Sequence, residues 1–198
     1  MKMNLPNKLT LLRVFMIPFF VLFMILSLDG HLASELRASA DGRFISYRII
    51  ACIIFCAASF TDFLDGYIAR SRGLVTDFGK FMDPLADKLL VCSALILLTA
   101  EGSLSSIVVI IIIAREFIIS GFRLVAADNG IVIAASWWGK FKTVSQMLLC
   151  IILILPTMPV LLGNTVVRIL TAAALLLTVI SLVDYMKKNI KVITEGGM

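Results

Sequence analysis

The chain has 198 residues, 60% of them hydrophobic and 16% charged, with a mean hydropathy of +1.03 and a net charge of +5. A soluble domain averages about 45–50% apolar and about 25% charged residues, so this composition excludes a soluble globular protein, and its greasiness excludes a disordered one. With 12 Gly and 4 Cys, neither a collagen-like nor a disulfide-stapled chain fits, which leaves a polytopic membrane protein whose chemistry must sit in its spans or at their ends.

At about 20 residues per span, six apolar blocks can be drawn: Thr10–Leu28, Tyr47–Ala69, Phe81–Thr99, Ser106–Val125, Thr143–Leu162 and Thr165–Tyr185. Lipid offers no partner to an open sheet edge, so each block is expected to be a helix. The expectation is an all-α integral membrane protein with six transmembrane helices and a single domain over residues 1–198. Residues Met1 to Arg13 mix apolar and basic positions and are expected to form a short segment on the membrane surface. The apolar run from Val14 to Leu28 is long enough to span. The signal-like Ala38-Ser39-Ala40 lies too far beyond it to serve as a cleavage site, so the first block is expected to be a retained helix. Pro156 and Pro159 interrupt the fifth block near its end. Cys52, Cys56, Cys92 and Cys150 fall inside apolar runs without a Cys-x-x-Cys or Cys–His pairing, and read as core residues.

Topology follows from the charges between blocks. Lys2, Lys8 and Arg13 precede the first block, and Arg70, Arg72 and Lys80 lie between the second and third. Arg123, Lys140 and Lys142 lie between the fourth and fifth, and Lys187, Lys188 and Lys191 follow the sixth. The opposite loops are poorer in cations, although Arg37, Arg43 and Arg48 stand in the first of them beside Asp29, Glu35 and Asp41. The positive-inside rule then places both termini in the cytoplasm. It also accounts for basic charge that in a soluble protein would suggest nucleic acid, so no nucleic-acid partner is expected.

The densest chemistry lies in Asp62-Phe-Leu-Asp65-Gly66-Tyr-Ile-Ala69-Arg70, followed by Gly79-Lys-Phe-Met-Asp83-Pro-Leu-Ala-Asp87. Residues three and four apart share a helix face, so Asp62, Asp65, Gly66, Ala69 and Arg70 form one stripe, and Asp83 and Asp87 form another. Consecutive helices joined by a short loop run antiparallel, which lets the two carboxylate pairs face each other. Four such carboxylates repel unless a cation sits among them, and their oxygens suit a hard divalent ion, Mg²⁺ or Mn²⁺. Four can hold two ions about 3.5–4 Å apart, the spacing that clamps phosphoryl groups. Gly66 and Ala69 remove bulk beside the acids, and Arg70 adds a fork suited to phosphate. The combination points to a pyrophosphate substrate.

This stretch fills every position of D-x-x-D-G-x-x-A-R-x8-G-x3-D-x3-D, and so resembles the signature of the CDP-alcohol phosphatidyltransferases. Asn7, Thr10 and Arg13, the Ile-Ala-Arg115-Glu116-Phe block with Arg123, and Gly139-Lys140-Phe-Lys142-Thr extend the likeness to the bacterial members that make phosphatidylglycerophosphate. The resemblance implies a dimeric enzyme of the inner (cell) membrane, multi-pass, with its active site facing the cytoplasm. It implies that Asp62, Asp65 and Asp83 ligate one metal, and that Asp62, Asp83 and Asp87 serve a second, with Asp87 also the general base. Gly66, Arg70 and Thr76 would hold the CDP moiety of CDP-diacylglycerol, with Thr10 and Arg13 near the nucleotide. The reaction would give phosphatidylglycerophosphate and CMP from CDP-diacylglycerol and sn-glycerol 3-phosphate.

The signature defines the donor better than the acceptor. Arg115 stands inside an apolar block and needs a partner, either Glu116 or a bound anion. Arg123 follows about two turns later on nearly the same face, and Lys140 and Lys142 are near the next helix. Together Arg115, Arg123, Lys140 and Lys142 are expected to bind the acceptor's phosphate, although the two lysines could instead set topology or bind lipid headgroups. Phosphatidylglycerol or inositol phosphate remain as other acceptors, and a divalent cation transporter as a reading of a different class. Trp137 and Trp138 are expected to be interfacial anchors.

Overall fold

The computed structural model describes residues 5–36, 43–72, 77–128, 136–155 and 157–189, without the side chains of 65–72, 77–84 and 87 among others. Its elements are all helices: α1 (Leu5–Leu36), α2 (Arg43–Arg72), α3 (Asp77–Ala100), α4 (Ser106–Asp128), α5 (Trp137–Ile154) and α6 (Thr157–Lys188). Among the described residues three segments are long and apolar enough to cross a membrane: Asn7–Leu28, Phe44–Asp62 and Thr157–Lys188. The protein is therefore a multi-pass membrane protein. In α4 the interruption is chemical, because Arg115, Glu116 and Arg123 fall within its apolar run.

The chain divides into two compact units. The first comprises Met1–Ser103 with Cys150–Met158, and the second Leu104–Leu149 with Pro159–Met198. In the first unit α1 packs antiparallel along α2 and also touches α3. Phe20 and Phe55 meet at ring centroids 5.6 Å apart, and with Met24, Ala51 and Ala58 they form a fully buried seam. The outward faces keep Phe15, Phe19, Ile53 and Phe60 exposed, as expected of helices whose solvent is lipid.

Two sequence expectations need correction. Among the described residues no separate surface segment precedes the first span, because α1 is a single helix from Leu5. Thr10 and Arg13 are buried in it, and an inward-facing ion pair with α2 holds this turn in the bundle. The fifth helix also starts and ends earlier than the apolar block Thr143–Leu162 implies. Helix α5 starts at Trp137, where the Ser136 hydroxyl caps it by accepting from the Gly139 amide at 3.2 Å. It ends at Ile154, because a proline at 156 supplies no amide hydrogen and disfavours helix just before it. Residues 157–162 belong instead to α6, which kinks at Gly163, where φ 79° and ψ 150° suit only glycine.

Arg48 explains how α5 can end inside the protein. It is no loop cation but a residue of α2, only 2% exposed. Its Nε and Nη2 donate to the carbonyls of Ile154 and Leu153, each at 2.6 Å, which are acceptors left over at the helix terminus. Its Nη1 pairs with Glu101, in the turn that closes α3. There Gly102 takes φ 84° while the Ser103 and Gly102 amides donate to the Leu98 and Thr99 carbonyls, a Schellman cap. Three chain segments thus converge on one guanidinium. Arg48→Met is expected to cost about 3–5 kcal/mol, since it strands a buried carboxylate and two carbonyls. Thermal unfolding in detergent measures this, and a loss under about 1 kcal/mol would mark the pair as no stronger than a surface one.

Candidate active site

The carboxylate stripe lies on α2 and α3 of the first unit. Asp62, Asp65, Gly66, Ala69 and Arg70 all fall within α2, and Asp83 and Asp87 within the first half of α3. The helix period keeps each set on one face, and α2 and α3 are in contact. Of the four acids, only Asp62 has a described side chain, and Thr76 lies outside the described residues altogether.

Asp62 is held from α1. Arg13 Nη1 donates to Asp62 Oδ1 at 2.8 Å, and Arg13 Nε donates to the Ala58 carbonyl at 3.3 Å. Arg13 is fully buried, while the Asp62 side chain keeps 35% exposure. A buried arginine in a low-dielectric bundle must have a carboxylate beside it, so the pair sets the orientation of Asp62. This gives Arg13 a clear role as the anchor of one acid in the stripe. Sequence spacing could not foresee that pairing, since 49 residues separate the partners.

The second unit contains the basic cluster. Arg115 is 8% exposed and Lys142 is 2% exposed, and both lie against Glu116. Arg115 Nη1 reaches Glu116 Oε1 at 3.4 Å, and Lys142 Nζ is paired with the same oxygen. Arg115 Nη2 also donates to the Ser181 hydroxyl on α6. Glu116 is thus the partner Arg115 requires, and it is shared with a lysine from α5. Among the described residues, Glu116 thus lies between two buried cations in an apolar bundle.

Arg123 and Lys140 are placed differently. Arg123 is exposed, with its guanidinium 5.9 Å from the centroid of the Tyr185 ring. Lys140 is exposed and sits 4.4 Å from the Trp137 ring centroid. The structure therefore brings Arg115 and Lys142 together, joins Arg123 to the same helices through Tyr185, and turns Lys140 toward a tryptophan. Gln146 completes the packing by donating to Thr178 Oγ1 at 3.0 Å, with both residues buried. Ser181, Thr178 and Tyr185 carry no charge and lie in an apolar helix, so nothing in their local sequence marked them.

A family model described as CDP-alcohol phosphatidyltransferase matches residues 3–183. The chain is 41% identical over 187 residues to a CDP-diacylglycerol–glycerol-3-phosphate 3-phosphatidyltransferase of Bacillus subtilis, covering 94% of this chain and 95% of that protein. It is 40% identical over 195 residues to a probable phosphatidylglycerophosphate synthase of Mycobacterium tuberculosis, covering 98% and 85%. A Haemophilus influenzae protein of the same name as the Bacillus one is 41% identical over 152 residues, or 75% and 74% of the two chains.

Proposed function

The chain belongs to the CDP-alcohol phosphatidyltransferase family, and on that premise we propose that it transfers the phosphatidyl group of CDP-diacylglycerol to sn-glycerol 3-phosphate. The products are phosphatidylglycerophosphate and CMP, a step of phospholipid biosynthesis. The observation that carries the choice of acceptor is the burial of two cations, Arg115 and Lys142, side by side against Glu116. Buried cations in a low-dielectric setting favour an anionic acceptor over a neutral alcohol.

Members of this family generally use a divalent metal. The donor set fits one: Asp62, Asp65, Asp83 and Asp87 offer only oxygen ligands, at helical spacings that keep each pair on one face. These four would hold two ions, Mg²⁺ or Mn²⁺, which supply charge neutralisation for the pyrophosphate and the departing CMP. Arg13 orients Asp62 within that set. Gly66, Arg70 and Thr76 hold the CDP moiety, the glycine by admitting the ligand close to the helix backbone and the arginine as a phosphate fork. Arg115, Arg123, Lys140 and Lys142 hold the acceptor's phosphate, with Glu116 aligning the two buried cations.

Asp87 takes the proton from the 1-hydroxyl of the acceptor. That oxygen forms a bond to the β-phosphorus as the bond from the β-phosphorus to the bridging oxygen breaks. The electron pair leaves with CMP. The chain acts as a single domain over residues 1–198, with six spans, both termini cytoplasmic and the site open to the cytoplasm of the inner (cell) membrane. In this reading α4 spans despite its charges, because Arg115 and Glu116 pair within the protein instead of facing lipid. The enzyme acts as a homodimer.

The test supplies purified protein with CDP-diacylglycerol and, separately, sn-glycerol 3-phosphate, phosphatidylglycerol, inositol phosphate or serine. Phosphatidylglycerophosphate and CMP are expected from the first alone. Turnover with another alcohol but not with glycerol 3-phosphate refutes the assignment.

A further inference from the structure

Two buried polar atoms in the basic cluster have no hydrogen-bond partner among the described residues: Arg115 Nε and the Tyr185 hydroxyl oxygen. Their residues are only 8% and 3% exposed. An unsatisfied buried donor costs about 1–3 kcal/mol, so two in a single cluster call for a ligand or another physical reason. Neither belongs to the signature that identifies the donor site.

The surroundings place the two atoms on facing helices. Ser181 accepts from Arg115 Nη2 and precedes Tyr185 by one helical turn, so serine and tyrosine share a face of α6. Arg123, two turns beyond Arg115 on α4, lies over the Tyr185 ring at 5.9 Å. Gly139, in the first turn of α5, forms another side: a Cβ there would meet Arg115 Nη2 and Ser181 Oγ, each at 3.7 Å. The positive end of the α5 dipole is therefore close to the guanidinium. Glu116 and Ser181 engage Nη1 and Nη2, which leaves Nε as the edge without a partner.

Both unpartnered groups donate, one through N–H and the other through O–H. A ligand satisfying both must be rich in acceptor oxygens, and the surrounding arginines require it to be anionic. A phosphate monoester meets both conditions. We propose that Tyr185 is a direct ligand of the acceptor's phosphate, its hydroxyl donating to an oxygen of the group that Arg115 engages through Nε. This rests on the reading of the acceptor as a phosphorylated alcohol and adds to it an uncharged residue that selects for the phosphate.

Steady-state kinetics of the full-length Tyr185→Phe protein tests the assignment, because phenylalanine keeps the ring beneath Arg123 and removes only the hydroxyl. The KM for sn-glycerol 3-phosphate is expected to rise about tenfold or more, the loss of one hydrogen bond to a charged group. The Ki of inorganic phosphate as a competitor rises in parallel, while the KM for CDP-diacylglycerol moves far less. A packing defect would instead raise both substrates' KM together, and that result overturns the assignment, as does an unchanged KM or Ki. Lys142→Ala separates this inference from its premise. If Lys142→Ala raises the KM for glycerol 3-phosphate and Tyr185→Phe does not, the tyrosine assignment falls and the acceptor reading stands. If neither does, both fall.

Discussion

Asp87→Asn is expected to lower turnover by about 10²–10⁴-fold, the contribution of a positioned general base, while leaving the protein folded. The substitution is nearly isosteric and keeps an oxygen that can accept a hydrogen bond, but the amide cannot take up the proton of the attacking hydroxyl. Asp87 sits one turn beyond Asp83 on α3, so the two acids occupy the same face, and the variant also weakens that pair as a metal-binding edge. CMP release measures turnover, and thermal unfolding in the same detergent reports folding. Asp184→Asn provides the control. Asp184 pairs with Lys188 at 2.8 Å on the outer side of α6, a contact of the kind that contributes about 0–1 kcal/mol, and its removal should leave CMP release near the parent level. Near-normal activity of Asp87→Asn would refute its role as base.

Removal of divalent cations should abolish CMP release, and Mg²⁺ or Mn²⁺ should restore it. On the proposed reading, Asp62, Asp65, Asp83 and Asp87 would without a cation meet one another's charge and then that of a pyrophosphate, so the donor would not be held productively. Binding also has a consequence separate from catalysis. A ligand at about 100 times its Kd stabilises the folded state by about 2.7 kcal/mol, so metal should raise the unfolding temperature of the parent. It should do so less for Asp83→Asn, and this holds without any substrate present. Full turnover in excess chelator would remove the metal from the reaction. Metal flux into liposomes without CMP release would favour the transporter instead.

The residues legible from sequence were those whose meaning is local. Asp62, Asp65, Gly66 and Arg70 declare themselves because a period of 3.6 residues puts them on one stripe whatever surrounds the helix. Arg115 could be recognised as a residue needing a partner, and its neighbour Glu116 was the right candidate. Arg48 reads as a loop cation because an arginine at the very edge of an apolar block has the same local appearance as a topology signal. Its partners at Leu153 and Ile154 lie 105 and 106 residues away, and no spacing rule reaches that far. The boundary between α5 and α6 was misplaced for a related reason. Pro156 announced an interruption, but only the helix that resumes at Thr157 and kinks at Gly163 shows that residues 157–162 lie beyond α5.

Sequence alone determined that this is a helical membrane protein, and it supplied the carboxylate stripe and the family to which the stripe belongs. Composition dictates the solvent, and helical periodicity dictates the faces, without reference to anything distant in the chain. Tertiary structure alone decided which buried polar groups satisfy one another: Arg13 with Asp62, Arg48 with the end of α5, and Lys142 with Glu116. It also decided which are left over, among them Arg115 Nε and the Tyr185 hydroxyl. In a low-dielectric bundle an unpaired polar group is costly, so these pairings govern how the helices dock, and they become visible only once the helices have done so.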